Sequence, residues 1–136
     1  MDNSVVEGIK ARLQKYPTAR YESGETWIRV LPASNDGFIV QLQVGFNKYE
    51  VSFEGWHEDF HREEEALNCF AFGLSSECRL KVWSFARFDY KWTVEHHQDG
   101  VWLEDSTVGV LAVPFCKRRF RYLQNNTILG SGLDGH

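Results

Sequence analysis

The sequence predicts an α+β fold dominated by antiparallel strands, and three observations lead there. Apolar and polar residues alternate in several runs of strand length. Those runs are joined by short turn signals, as hairpins are. Segments with helical spacing interrupt the strands singly instead of alternating with them, which excludes a parallel α/β sheet. The 136 residues suit one domain, with residues 1–136 forming it and a tail after about residue 126 expected to fray. Ten Phe, five Tyr and five Trp make up 15% of the chain, and so many flat side chains favour a β-rich core.

The elements follow in order. Ser4 and Glu7 have the spacing of a capping box, and Val6, Ile9, Leu13 and Tyr16 then share one helical face that Pro17 terminates. Three strands come next. Thr26–Leu31 is rich in β-formers, and Asp36-Gly37 is a strong hairpin signal. Phe38, Val40, Leu42 and Val44 alternate with Ile39, Gln41 and Gln43; after a turn at Gly45–Asn47, Tyr49, Val51 and Phe53 alternate with charged and polar residues. A second helix is expected over about Phe60–Phe72, with Glu63, Glu64 and Glu65 at the positive end of its dipole and Gly73 as a left-handed cap. From Cys78 to His96 the alternation is too long for one straight strand of a small domain, so a bend is expected within Ser84–Asp89. Asp99-Gly100 marks a hairpin turn, and Val101–Leu103, Val108–Val113 and Phe115–Leu123 complete the strands, with Pro114 as a bend. The expected architecture is an N-terminal helix, a three-stranded meander, a second helix and three to five further strands. Both helices cover one face of a curved sheet.

The order α-β-β-β-α-β-β-β resembles the type III secretion chaperone-like architecture. A resemblance of element order implies a fold and assigns no functional residue.

Composition narrows the function. The net charge of −4 disfavours a general nucleic-acid binder, which needs surplus positive charge. Cys69, Cys78 and Cys116 have no paired spacing and lie in apolar stretches, so reduced, buried thiols and a cytoplasmic setting are expected. Met1-Asp2-Asn3-Ser4 does not begin a signal peptide, and no stretch is long enough to span a bilayer. Asn125-Asn126-Thr127 fits a glycosylation sequon, which is without meaning in a chain that is not secreted.

Three constellations carry candidate chemistry. His57-Glu58-Asp59-Phe60-His61 matches the metalloprotease pattern, in which His57 and His61 would hold zinc on one helical face and Glu58 would act as general base. Asp59 and Arg62 disagree with that pattern, no third ligand is apparent, and His57 follows a strand directly; helix capping by His57 and Asp59, with His61 in the first turn, is the plainer reading. Lys117, Arg119 and Arg121 form a basic stripe that shares its parity with Phe115 and Leu123. Trp83 and Phe85 stand among Arg79, Lys81 and Arg87 on an otherwise polar face. The two basic segments are expected in one sheet, pointing outward while Phe120 and Tyr122 point to the core. These readings favour a non-enzymatic binding or adaptor domain that takes a protein partner, preferably acidic, on its sheet surface. The rivals are a zinc-dependent hydrolase and a small-ligand domain with an aromatic pocket.

Overall fold

The computed structural model describes residues 4–85, 88–109 and 119–125. Arg87, Pro114, Cys116, Lys117 and the tail lie outside them, as does the continuation of the Val108–Val113 strand past residue 109. The order is helix, five strands, helix, four strands: α1 (Ser4–Leu13), β1 (Arg20–Ser23), β2 (Trp27–Leu31), β3 (Val40–Val44), β4 (Tyr49–Phe53), β5 (Trp56–Phe60), α2 (Glu63–Leu74), β6 (Cys78–Phe85), β7 (Phe88–Gln98), β8 (Val101–Gly109) and β9 (Arg119–Leu123). The α+β class with antiparallel pairing is thus present, in two sheets where one was expected. β1 to β5 form a meander in chain order, and the second sheet runs β8-β7-β6-β9. The meander has two strands more than the three expected.

Helix α1 buries Val5, Val6, Ile9 and Leu13 and ends at Leu13, earlier than Pro17 requires. Its last turn tightens there: the Lys15 and Tyr16 amides donate to the Arg12 and Leu13 carbonyls at 3.2 and 2.9 Å. Strands β2, β3 and β4 place Ile28, Val30, Val40, Leu42, Val51 and Phe53 in the core by alternation. The Asp36-Gly37 turn differs from expectation. Val30 pairs with Val40, so a long loop replaces a two-residue hairpin, and Gly37 does not adopt positive φ. Gly37 is there for space: a Cβ would sit 2.5 Å from Asn125 Oδ1 and 2.9 Å from Pro32 Cβ. The turn that the Asp-Gly rule describes is at Asp99-Gly100, with φ 54° and 81° between paired Gln98 and Val101.

The largest correction concerns the start of the second helix. Trp56–Phe60 is a strand, paired with β4 from Phe53↔Trp56 to Tyr49↔Phe60. A two-residue turn at Glu54-Gly55 makes it possible, with Glu54 at φ 54° and its Oε1 accepting from the Ile39 amide at 3.0 Å. Trp56 is the inward anchor, stacked on Phe53 with ring centroids 4.7 Å apart. Helix α2 therefore starts at Glu63. The three glutamates do fill its first turn, but its N-cap is Arg62, without a side-chain capping bond. Gly73 lies inside the helix and not at a left-handed cap; Ser75 closes the helix with its Oγ donating to the Phe72 carbonyl at 2.7 Å.

The chain reverses inside Ser84–Asp89 as expected, with Phe85 opposite Phe88. α2 lies against β3, β4, β5 and β6, and the buried residues of both helices and both sheets form one cluster. Among the described residues no helix is long and apolar enough to cross a membrane.

Candidate partner-binding face

Strand β6 has two faces by parity. Cys78, Leu80 and Val82 are buried; Arg79, Lys81 and Trp83 point the other way and are only half-buried. β7 and β9 flank β6, opposing Lys91 and Phe120 to Trp83, Thr93 and Tyr122 to Lys81, and Glu95 to Arg79. Beyond β7, Thr107 follows Thr93, their hydroxyls 2.9 Å apart, and Trp102 follows His97.

Among the described residues of this face, every cation is placed against an aromatic ring. The Arg79 guanidinium lies 3.8 Å from the Tyr122 centroid and 4.4 Å from that of Trp102, and its Nε donates to Glu95 Oε1 at 2.6 Å. The Lys81 ammonium is 4.2 Å from the Phe120 centroid and 4.4 Å from that of Trp83; the Lys91 ammonium is also 4.4 Å from Trp83. Each such contact contributes roughly 0.5–1 kcal/mol at an exposed site, so the set orders long side chains that would otherwise sample many rotamers.

The two basic segments do share a sheet, with β9 paired directly to β6. The facing of β9 is the reverse of what was expected. Phe120 and Tyr122 are 51% and 40% exposed and join Lys81 and Trp83, while Leu123 is buried. Arg121 has the parity of Leu123 and pairs across to Val82, so it lies on the other face, forked onto Asp89 with bonds of 2.9 and 3.0 Å. Arg119, opposite Ser84, shares that parity. Phe85 is set apart from Trp83: the rings around it are Phe88 and Tyr90, at 6.4 and 6.1 Å. The register shift after Trp83 separates them. Of the expected partner-binding residues, the structure brings Arg79, Lys81 and Trp83 together and adds Lys91, Trp102, Phe120 and Tyr122. It does not bring Phe85, Arg119 or Arg121 to that group.

The zinc pattern lacks the helix it requires. His57 and Glu58 are on β5 with opposite parity, facing Ser52 and Val51. His57 Nδ1 is 3.8 Å from Glu50 Oε2, and His61 Nδ1 is 3.2 Å from the Asn47 carbonyl oxygen. Four residues of extended chain separate the two histidines by about 13 Å, too far for a shared ion. Among the described residues no group of three His, Cys, Asp or Glu is arranged to hold a metal. The expected capping by His57 and Asp59, with His61 in the first turn, also fails, because all three precede the N-cap Arg62.

Among the described residues, the cavities that could admit a small ligand include an apolar one and a polar one. One of about 190 Å³ is lined by Ile9, Leu13 and Tyr16 of the α1 segment and Leu67, Phe70 and Leu74 of α2. It lies between the helices, not between helices and sheet, and is mostly aliphatic. The second, of about 260 Å³, is polar, with Glu54, Asp89, Trp92 and Arg121 on its walls.

Cys69 and Cys78 are free thiols. Burial, joined by the charges of Glu58 and Asp105, pushes the Cys69 thiol up to about 12; burial likewise pushes Cys78 up. The thiolate is the nucleophile, so neither can serve as one at neutral pH. Iodoacetamide at pH 8 should leave both intact in the native protein and alkylate both after denaturation. Their raised values also fix a sign. The unfolded thiols ionise from about pH 8.5 while the folded ones cannot, so this contribution to stability is complete below that pH. It is lost as pH rises toward the folded value of about 12 for Cys69 and beyond it. Native Cys69 reacting as fast as the denatured chain would contradict this account.

Comparison with known proteins supplies no further constraint: no family model matches the chain, and neither a curated protein nor a solved structure matches it.

Proposed function

We propose that this chain is a non-enzymatic binding domain of the cytoplasm that takes a protein partner on the Arg79–Lys81–Trp83 face of its four-stranded sheet. One observation carries the reading: large aromatic side chains and ordered cations are concentrated on a sheet face whose reverse side already supplies the core. Trp, Tyr and Arg are the residue types that dominate interface energies, because they bury large area with few rotors to freeze. The free thiols suit a reducing compartment. Strand geometry at His57 and Glu58 removes the support for a hydrolase.

A photocrosslinking phenylalanine analogue placed at Phe120, which is 51% exposed and lies beside Trp83 and Lys81 on the face, should give a discrete adduct in cells that make the protein. The adduct should disappear on Trp83→Ala. The same probe at Gln41, on the polar outer face of the five-stranded sheet, should give none. Equal adducts from both positions, or none from Phe120, would overturn the reading.

A further inference from the structure

We propose that Lys81 and Lys91, held against Trp83, form an anion site for the carboxylates of an extended acidic segment of the partner. This deepens the protein-binding reading above and rests on it.

Among the described residues, the face has three ordered cations. Arg79 is neutralised by Glu95 at 2.6 Å. Among the described residues, neither Lys81 nor Lys91 has a carboxylate within ion-pair distance. Both ammonium groups instead lie 4.4 Å from the Trp83 centroid, so they stand at most twice that distance apart. Two like charges on one indole repel, and the ring offsets only part of that cost. A carboxylate at each ammonium would offset the remainder through charge-assisted hydrogen bonds.

A second observation points the same way. Among the described residues, Trp83 Nε1 is buried and has no acceptor. A buried N–H without a partner costs free energy, and a carboxylate oxygen is the acceptor such a donor lacks.

The spacing selects the ligand's form. An extended chain presents every second side chain on one face, at roughly 6.6 Å intervals. Carboxylates two residues apart can therefore meet both ammonium groups, whereas a helix would set its acids on a different repeat. Charge selects the partner further. The chain is −4 overall, so a positive patch on it steers an acidic segment to this face and away from the others. Single-stranded nucleic acid is disfavoured for a separate reason. It binds by stacking bases on open aromatic faces, and here ammonium groups already occupy the rings of Trp83 and Phe120.

The probe is a blocked synthetic peptide, Gly-Glu-Ser-Glu-Ser-Glu-Gly, with its glutamine counterpart and an oligothymidylate as comparisons. The readout is the Trp83 indole N–H resonance, assigned by its loss in Trp83→Phe. The glutamate peptide should shift that resonance, and the glutamine peptide should not. Binding should weaken as salt rises. Lys81→Gln with Lys91→Gln should reduce affinity roughly tenfold or more, while Lys81→Arg with Lys91→Arg should retain binding. No shift with the glutamate peptide, equal binding of the glutamine peptide, or tighter binding of oligothymidylate would overturn the proposal. If the Phe120 adduct persists under any of those outcomes, the face binds a protein by other chemistry. If the Phe120 adduct is also missing, the protein-binding reading falls with it.

Discussion

Asn125→Ala should cost about 3 kcal/mol or more of folding free energy, a large share of the roughly 5–15 kcal/mol that holds a domain together. Asn125 lies two residues past the end of β9 and is 3% exposed. Its Oδ1 accepts from the Phe38 amide at 2.8 Å, and its Nδ2 donates to the carbonyls of Phe38 at 2.8 Å and Gly73 at 3.2 Å. One side chain thus ties the end of the second sheet to the β2–β3 loop and to the last turn of α2. Helix carbonyls in that turn have no partner within the helix, so the bond to Gly73 satisfies a group that folding would otherwise bury unpaired. Alanine leaves three buried backbone groups without partners, each at roughly 1–3 kcal/mol before relaxation and water entry. Asn125→Asp keeps the acceptor for Phe38 but turns an oxygen toward two carbonyls, so it should be no better tolerated. Urea unfolding measures both: the midpoint should fall with an unchanged slope. An alanine variant within about 0.5 kcal/mol of the parent would show that water replaces the amide at little cost. The same burial means that the asparagine of the Asn125-Asn126-Thr127 sequon is not presented to solvent.

That bond network also shows how far the sequence could be read. Alternation carries its own structural reason, since a strand with one dry face must alternate. β2, β3, β4 and the β6–β7 pair were legible on that ground. β1 and β5 were not. Arg20–Ser23 has no buried residue, and in Trp56–Phe60 three exposed residues follow the anchor Trp56. Both are held by pairing with a neighbour, which a single segment does not display. The facing of β9 was legible in part. Leu123 shares parity with Arg119 and Arg121, and as the buried residue of the strand it fixes which side is inward. Treating Phe120 and Tyr122 as core because they are aromatic gave the wrong side, since large apolar residues also lie on surfaces. Arg79, Lys81 and Trp83 could be named from one strand. Lys91, Phe120 and Tyr122 required the register that sets them beside Trp83 and Lys81.

Gly73 yields the second large effect, because two opposing terms meet there. It lies inside α2, where glycine costs roughly 0.5–1 kcal/mol relative to alanine. On helix propensity alone, Gly73→Ala should stabilise. A Cβ at that position, however, would sit 2.6 Å from Phe53 Cζ and 3.0 Å from Cδ1. Phe53 is fully buried, stacked on Trp56 and 5.4 Å from the Phe38 ring, so it has nowhere to retreat. Overpacking of this kind costs roughly 1–3 kcal/mol, more than the propensity returns, and the single variant should be destabilised. Phe53→Val should cost more, about 3 kcal/mol, by leaving a cavity against α2. With that ring removed, the methyl of alanine enters vacated space and the propensity term stands alone. Gly73→Ala in the Phe53→Val background should therefore be neutral or stabilising by up to about 1 kcal/mol. The cycle should close with an interaction energy of about 2 kcal/mol between the two positions, readable from four urea transitions. Additive effects would mean that Phe53 can shift out of the way. Gly73 would then keep space for no ring at all, and the close approach of α2 to β4 would need another cause.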